Sequence, residues 1–441
     1  MLKKTLPSII TSGTALLALL VGQVLSQESD NGVSYKLQYF HDNNLVDVLT
    51  NTIAAALRLG EHGHANVNYL VDAITGASRT DIHGSQIGPD GITGASIKSP
   101  SVDGITSASE TGEKRRQISA GFSYARDFIQ WLRGNGGAND NPTTLSITGI
   151  NGVENDYTSR TLSAGISQDL LERNTTLAAS VSRSFDQYRP APRFIPSSSD
   201  EGWNYLGDGR RLTDHVDLAF TQGITTTTVA SVLVGWSYDQ GYLSRPYYTY
   251  LISDSTAVPD DSGGGGIYYH ENLPATKSAM TISGKLNQYI PLLKGCSLHA
   301  TYRYYDDAWA LKSHTIELEL YARVLDHFII RPAGRLYTQS SAFFYQDVYT
   351  MPMLYMTTDF KYRESMTASL GLKLIWELDD FIKPQGVPFF GLYPTSLDIA
   401  ADYYRRTGTA DWRVRNAHYN YWPIETGFTS YWIQSGITCA F

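Results

Sequence analysis

Ser365-Met366-Thr367-Ala368-Ser369-Leu370-Gly371-Leu372-Lys373-Leu374-Ile375-Trp376-Glu377-Leu378 repeats with a period of two. Met366, Ala368, Leu370, Leu372, Leu374, Trp376 and Leu378 fall on one side, and Thr367, Ser369, Gly371, Lys373 and Glu377 lie between them. An extended strand places alternate residues on opposite faces, whereas a helix would distribute this set around its axis. The stretch therefore predicts a strand with one apolar and one polar face. The same pattern recurs in Ile316, Leu318, Leu320, Ala322 and Val324 against Thr315, Glu317, Glu319, Tyr321 and Arg323. It recurs again in Ile118, Ala120, Phe122 and Tyr124, and in Val216, Leu218 and Phe220.

Alternation alone also fits a soluble sandwich. Three features favour a membrane barrel. The polar faces carry Arg, Glu and Lys, which suit a wet lumen better than a sandwich core. Aromatic residues gather toward strand ends, as in Tyr302-Arg303-Tyr304-Tyr305 and Tyr403-Tyr404. The chain ends in Phe441 after Ile433, Ile437 and Cys439 at alternate positions, which resembles the C-terminal strand of outer-membrane barrels. The 30 Tyr and 8 Trp agree with interfacial aromatic girdles. Together these predict an all-β fold, a transmembrane antiparallel β-barrel of about 16 strands, an even number as bacterial barrels require.

The N-terminus carries Lys3 and Lys4, an apolar stretch to Leu25, and Ser26-Gln27-Glu28-Ser29, the pattern of a secretory signal peptide over residues 1–26. Residues 27–441 are then the barrel. A net charge of −8 argues against a nucleic-acid partner. The two cysteines, Cys296 and Cys439, form no metal-ligand pattern, and a disulfide between them stays open. Glu172-Arg173-Asn174 and Leu293-Lys294-Gly295 read as tight turns, while 187–210 and 244–277 read as long outer loops.

One segment, residues 72–114, carries three copies of a heptapeptide. They are Asp72-Ala73-Ile74-Thr75-Gly76-Ala77-Ser78, Asp90-Gly91-Ile92-Thr93-Gly94-Ala95-Ser96 and Asp103-Gly104-Ile105-Thr106-Ser107-Ala108-Ser109. Such residues also dominate ordinary turns. The repeats nevertheless resemble the acceptor motif Asp-x-x-(Ser/Thr)-Gly-Ala-(Thr/Ser), in which a bacterial FAD:protein FMN transferase esterifies the last hydroxyl with the phosphate of FMN. The resemblance makes Ser78, Ser96 and Ser109 the acceptors of up to three covalent FMN groups. Gly76 and Gly94 permit a tight bend, Thr75 and Thr93 occupy the hydroxyl position of the motif, and Asp72, Asp90 and Asp103 lead each copy. The third copy departs from the pattern, with Ser107 in place of glycine. Strand parity puts this segment on the extracellular side or folded into the lumen as a plug. From Ser78 to Ser109 a flexible chain has an r.m.s. span of about 30 Å, so the three sites bridge an apolar band roughly 25 Å tall if the segment plugs the lumen and form a surface cluster if it does not.

Tyr302–Trp309 with Ser313-His314-Thr315, Arg335–Tyr345, Glu154-Asn155-Asp156-Tyr157 and Gly241–Tyr247 are further family signatures. With the heptads, they resemble a family of Gram-negative outer-membrane barrels to which no reaction is assigned. The resemblance implies the fold and a flavin site; because a bilayer insulates and the sequence has no haem-attachment or Fe–S motif, the leading expectation is a flavinylated barrel that carries electrons across the outer membrane, with outer-membrane lipid, a periplasmic FMN transferase and a periplasmic redox donor, such as a cytochrome or thioredoxin-like protein, as partners. The barrel itself is then not an enzyme. Competing readings are a plugged porin or solute-binding barrel, a structural barrel with unmodified repeats, and an enzyme reducing an extracellular substrate at the flavins. His62, His64 and His83 suggest a metal only weakly, the acidic pairs Asp306-Asp307 and Asp260-Asp261 are ordinary loop acids by default, and no metal is expected. The basic run Glu113-Lys114-Arg115-Arg116 is either a solvated strand end or a partner for flavin phosphates.

Overall fold

The computed structural model describes residues 31–42, 46–76, 109–128, 141–189, 209–244, 249–253, 266–292, 295–346, 349, 351–357, 359–378, 393–407 and 428–440. The first strands are β1 (Gly32–Asp42), β2 (Val46–Leu59), β3 (Gly63–Gly76) and β4 (Ser109–Arg126). They are followed by β5 (Thr143–Val153), β6 (Tyr157–Leu170), β7 (Thr175–Tyr188), β8 (Gly209–Thr225) and β9 (Thr228–Gly241). A separate hairpin, β10 (Thr249–Ser253) with β11 (Gly266–His270), precedes β12 (Thr276–Ile290), β13 (Cys296–Asp307) and β14 (Lys312–Leu325). The wall ends with β15 (Phe328–Gln339), β16 (Ser365–Glu377), β17 (Tyr393–Thr407) and β18 (Phe428–Ala440).

Sixteen of these strands form one closed antiparallel barrel, and the hairpin β10–β11 stands outside it. β18 pairs with β1 from Gly32↔Ala440 to Asp42↔Ser430, so no strand of the barrel has an open edge. Closure satisfies the backbone ladder all the way round, which is what a strand structure needs where water is absent.

The period-two reading holds in the wall. Met366, Leu370, Leu372, Leu374 and Trp376 of β16 are all exposed on the outer face, as are Ile316 and Leu318 of β14, Ile118 and Phe122 of β4, and Leu218 and Phe220 of β8. Leu378 departs from the row. It lies past the end of β16, is buried, and donates its backbone N–H to the carbonyl of Thr395. The inner face is the polar one. Lys373 pairs with Asp398 at 3.2 Å, Lys277 with Asp239 at 3.5 Å and Arg331 with Glu319 at 3.1 Å, and Arg211 makes a close ion pair with Asp186. Apolar side chains outside and ion pairs inside invert the order of a water-soluble protein, so the barrel is a membrane-spanning one.

Gly32 and Ala440 share one end of the barrel. The connections at that end are 60–62, 127–142, 171–174, 226–227, 291–295, 326–327 and 378–392. The far end carries 43–45, 77–108, 154–156, 189–208, 242–275, 308–311, 340–364 and 408–427, which include the longest ones.

Two expectations change. The 72–114 loop is narrower than its composition suggests, because β3 runs through Gly76 and β4 begins at Ser109. β2 reaches Val46, opposite Gly76, so the backbone of 72–76 finds ladder partners on β2 throughout and on β4 except at Thr75, where the register shifts, despite its turn-prone residues. Cys296 and Cys439 are free thiols. Cys296 lies opposite Ile290 and Ala322, whereas Cys439 lies opposite Val33 and Pro394, with β14 to β17 between their strands.

Candidate functional site

The heptad segment leaves the wall between two adjacent strands at the far end. Asp72 sits on the inner face of β3, 4 % exposed, and its carboxylate accepts a hydrogen bond of 2.5 Å from the hydroxyl of Thr50 on β2. The first residue of the first heptad is thus part of the barrel wall. Ala73, Ile74, Thr75 and Gly76 continue the strand, and Gly76 lies directly opposite Ser109, the last residue of the third heptad. Ser78, the second heptad with Asp90, Thr93, Gly94 and Ser96, and Asp103 lie outside the described residues.

This register favours the clustered arrangement of the segment's two ends over the extended one. A free chain of that length would separate its ends by about 30 Å. The β3–β4 ladder instead fixes Gly76 and Ser109 as cross-strand neighbours, which are about 5 Å apart between Cα atoms. Ser78 is two residues beyond Gly76, within about 8 Å of it along the chain. The first and third sites share the far mouth and do not bridge the apolar band.

The pleat of β4 divides the basic run. Arg115 turns inward, 3.5 Å from Glu154 and hydrogen-bonded to Gln117 at 2.9 Å. Lys114 and Arg116 alternate with it and are exposed on the outer face with Ile118. Of the three cations in the run Arg115 alone faces the lumen, and it already has an acidic partner.

The weaker constellations resolve as structural. The His62 ring meets Tyr124 edge-on at 5.7 Å, and His64 is exposed on the next strand. Asp306 pairs with Lys312 at 3.4 Å, while Asp307 accepts the backbone N–H groups of Trp309 and Leu311 at 2.9 and 3.0 Å and closes the 308–311 turn. Among the described residues no three metal-ligating side chains converge. His83 and Asp260-Asp261 lie outside them.

Two features were not anticipated from sequence. The first is a cluster at the far mouth, in which Leu273, Trp309, Ala342 and Phe344 bury one another and Trp309 meets Phe344 edge-on at 5.2 Å. The 340–364 connection is held there by Thr357, whose hydroxyl donates to Glu271 at 2.6 Å and whose N–H donates to the phenol of Tyr349 at 3.0 Å. Nearby, just past β9, burial and the Glu271 carboxylate push the Tyr242 phenol up to about 12.

The second is a lumenal row. Arg303, Thr315, Tyr337, Thr367 and Arg406 lie opposite one another across β13 to β17, and Glu317, Arg335, Ser369 and Tyr404 form the adjacent row. The Nε of Arg303 is buried with no hydrogen-bond partner. Among the described residues the Arg335 guanidinium also has no hydrogen-bond or ion-pair partner. An orphaned guanidinium beside phenol rings fits an anionic group. No sequence motif marks this row, because its residues come from five strands and meet only through the barrel register.

Residues 8–411 match the family described as "Protein of unknown function (DUF3570)", and the chain belongs to that family. No curated protein matches it. Among solved structures, the siderophore receptor PirA from Acinetobacter baumannii is 10 % identical with a TM-score of 0.39, over 86 % of this chain and 53 % of that one. The G324V mutant of the ferric enterobactin receptor PfeA from Pseudomonas aeruginosa is 7 % identical with a TM-score of 0.40, again over 86 % and 53 %. The ferric-catecholate import receptor Fiu from E. coli K12 is 10 % identical with a TM-score of 0.39, over 93 % and 82 %. The chain thus spans about half the length of the first two receptors, and at these identities the likeness is one of fold alone.

Proposed function

We propose that this member of the DUF3570 family is a Gram-negative outer-membrane barrel that carries covalent FMN on its heptads and passes electrons between the periplasm and the cell exterior. The observation that supports this reading is the Gly76↔Ser109 register, which brings the first and third acceptor motifs to one point on the far mouth. Bound FMN would supply reversible one- and two-electron chemistry that no side chain of this barrel offers.

The protein's own residues have three tasks in this reading. The Thr50–Asp72 bond fixes the root of the heptad segment to the wall. Ser96 is 13 residues from Ser109, and an extended chain of that length reaches about 43–47 Å, more than the roughly 25 Å apolar band. Ser96 can therefore be carried deep into the lumen while Ser78 and Ser109 stay at the mouth. Arg303 and Arg335 offer unpaired donors on the inner wall for an anionic group brought there. The donor is a periplasmic redox protein, and a periplasmic FAD:protein FMN transferase makes the phosphoesters.

The test is a vesicle with a reductant inside and an impermeant acceptor outside, holding barrel co-expressed with an FMN transferase. Wild type is expected to reduce the acceptor, Ser96→Ala to be strongly impaired, and the unflavinylated barrel to be inactive. An unmodified mass after co-expression, or equal rates for all three proteins, removes the reading. In that case the polar lumen favours the alternative of a plugged barrel that binds or admits a solute.

A further inference from the structure

On the outer face of β4 to β8 the far end is cationic. Lys114, Arg116, Arg160 and Arg210 are all exposed there, and among the described residues none has a hydrogen-bond or ion-pair partner. Their placement follows from the register. Ile118, Asn151, Arg160, Phe185 and Leu212 lie opposite one another in a single row across the five strands. Arg116 stands two residues above Ile118 at one end of this row, and Arg210 two residues above Leu212 at the other. With strands about 4.8 Å apart and about 3.3 Å per residue, Arg116 and Arg210 each lie about 12 Å from Arg160 between Cα atoms. Arginine side chains are long enough to converge on one headgroup from those positions.

Below this row β4 to β6 are apolar on the outer face, while on β7 and β8 the mutually paired Arg183 and Asp214 occupy the next row and the apolar side chains follow beneath them. Ile118, Phe122, Leu162, Ile166, Val181, Phe185 and Leu218 are each 43–58 % exposed on the outer face. On β6 the change from Arg160 to Leu162 takes two residues. On β4 the apolar run lies between Arg116 and Arg126, ten residues apart, which spans about 25 Å along the axis of a barrel whose strands tilt by about 40°. The cations thus stand at the upper edge of the lipid-facing band.

The nearby acids do not neutralise them. Asp214 is held by Arg183 through two hydrogen bonds of 2.6 and 2.8 Å, and Asp156 lies in the 154–156 connection. Elsewhere on the rim the polar groups satisfy each other: Asp47 accepts from Tyr39 at 2.5 Å and lies 2.9 Å from His41, and Lys312 pairs with Asp306. Arg405 on β17 is a further exposed cation, remote from the patch.

We propose that the outer face of β4–β8 binds a phosphorylated lipid of the leaflet at the far end, its phosphates held by Arg116, Arg160 and Arg210 and its acyl chains lying on the apolar rows beneath. A soluble anion would meet the arginines but leave the apolar rows uncovered, whereas an anionic amphiphile matches both at the spacing seen. Guanidinium groups hold phosphate oxygens in pairs, a geometry that lysine does not reproduce. The inference rests on the barrel spanning a membrane and is independent of flavin.

The experiment uses the full mature chain in phosphatidylcholine nanodiscs, after heat-modifiable migration has shown that the barrel is closed. Diphosphorylated lipid A is titrated, and bound lipid is counted by native mass spectrometry. Wild type is expected to retain lipid A at least tenfold more tightly than the R116Q/R160Q/R210Q variant, and Arg405→Gln is expected to behave as wild type. Dephosphorylated lipid A should bind wild type as weakly as lipid A binds the triple variant, and millimolar inorganic phosphate should not displace the bound lipid. Equal retention of the phosphorylated and dephosphorylated lipids by wild type overturns the proposal even if the triple variant fails to fold. Displacement by inorganic phosphate does so too. Failure of the barrel reading would show separately, as a chain that neither enters nanodiscs nor shifts on heating.

Discussion

Thr50 donates its hydroxyl hydrogen to the carboxylate of Asp72 across 2.5 Å of the inner wall, and both residues are buried. The leading acid of the first heptad is therefore a structural residue. Replacing it with alanine leaves the Thr50 hydroxyl unpaired, which costs about 1–3 kcal/mol. Asp72→Ala and Thr50→Val should each lower the denaturant midpoint of the reconstituted barrel, and the double variant should lose less than the two single losses combined. An Asp72→Ala barrel of unchanged stability that lacks FMN at Ser78 would mean that the carboxylate serves the transferase alone.

Leu372 and Lys373 are neighbours in sequence with opposite surroundings. Leu372 is 46 % exposed on the lipid-facing row, and Lys373 turns inward to Asp398 at 3.2 Å. Leu372→Arg should destabilise the barrel by about 2–4 kcal/mol if the site lies at the bilayer midplane. Lys373→Gln keeps a donor toward Asp398, which Gln434 also contacts at 3.1 Å, so its loss should be the smaller one. Reversible folding into vesicles at graded urea concentrations measures both, and a Gln variant less stable than the Arg variant would contradict the assignment of faces.

Tyr242 gives the far mouth a pH dependence. Burial first, then the Glu271 carboxylate, raise its phenol from 10.0 to about 12. The folded state thus holds the proton more tightly than the unfolded chain. The stability tied to the neutral phenol is complete below the unfolded value near 10.0 and is lost as pH rises through about 12. Alkaline titration followed by phenolate absorbance should show several late-ionising tyrosines, one of which is missing in Tyr242→Phe. Loss of order in the 242–275 connection should accompany that ionisation, and its onset before any tyrosine titrates would refute the link.

The wall was legible in sequence because lipid imposes a strict rule on each strand. Leu370, Leu372 and Leu374 had to alternate with Ser369, Gly371 and Lys373 whatever their neighbours were. The ends of strands obey no such rule. Asp72–Gly76 has turn-forming residues and is still strand, because β2 and β4 extend beside it. The inner wall was least legible. Lys277 meets Asp239 across β9 and β12, and Arg303 lies near Arg335 across β14, only because of the pairing register, which no local pattern sets.

Ser109 opens β4 and lies opposite Gly76, so in the closed barrel the third acceptor is held in a backbone ladder. A transferase must draw an extended peptide into its own active site, and a residue paired on a barrel strand cannot be drawn out without breaking the ladder. In the proposed reading the far end, opposite the one that holds Gly32 and Ala440, also lies across the membrane from a periplasmic transferase. Loading of Ser109 should therefore precede barrel assembly. Unfolded mature chain incubated with FAD and transferase should gain FMN on Ser78, Ser96 and Ser109, whereas barrel already inserted in vesicles should leave Ser109 unmodified even when the enzyme is supplied on both sides. Peptide mapping by mass spectrometry distinguishes the three serines. Equal modification of Ser109 before and after insertion would show that the β3–β4 ladder opens at the mouth on the timescale of the reaction, and the fixed adjacency of the first and third sites would have to be abandoned.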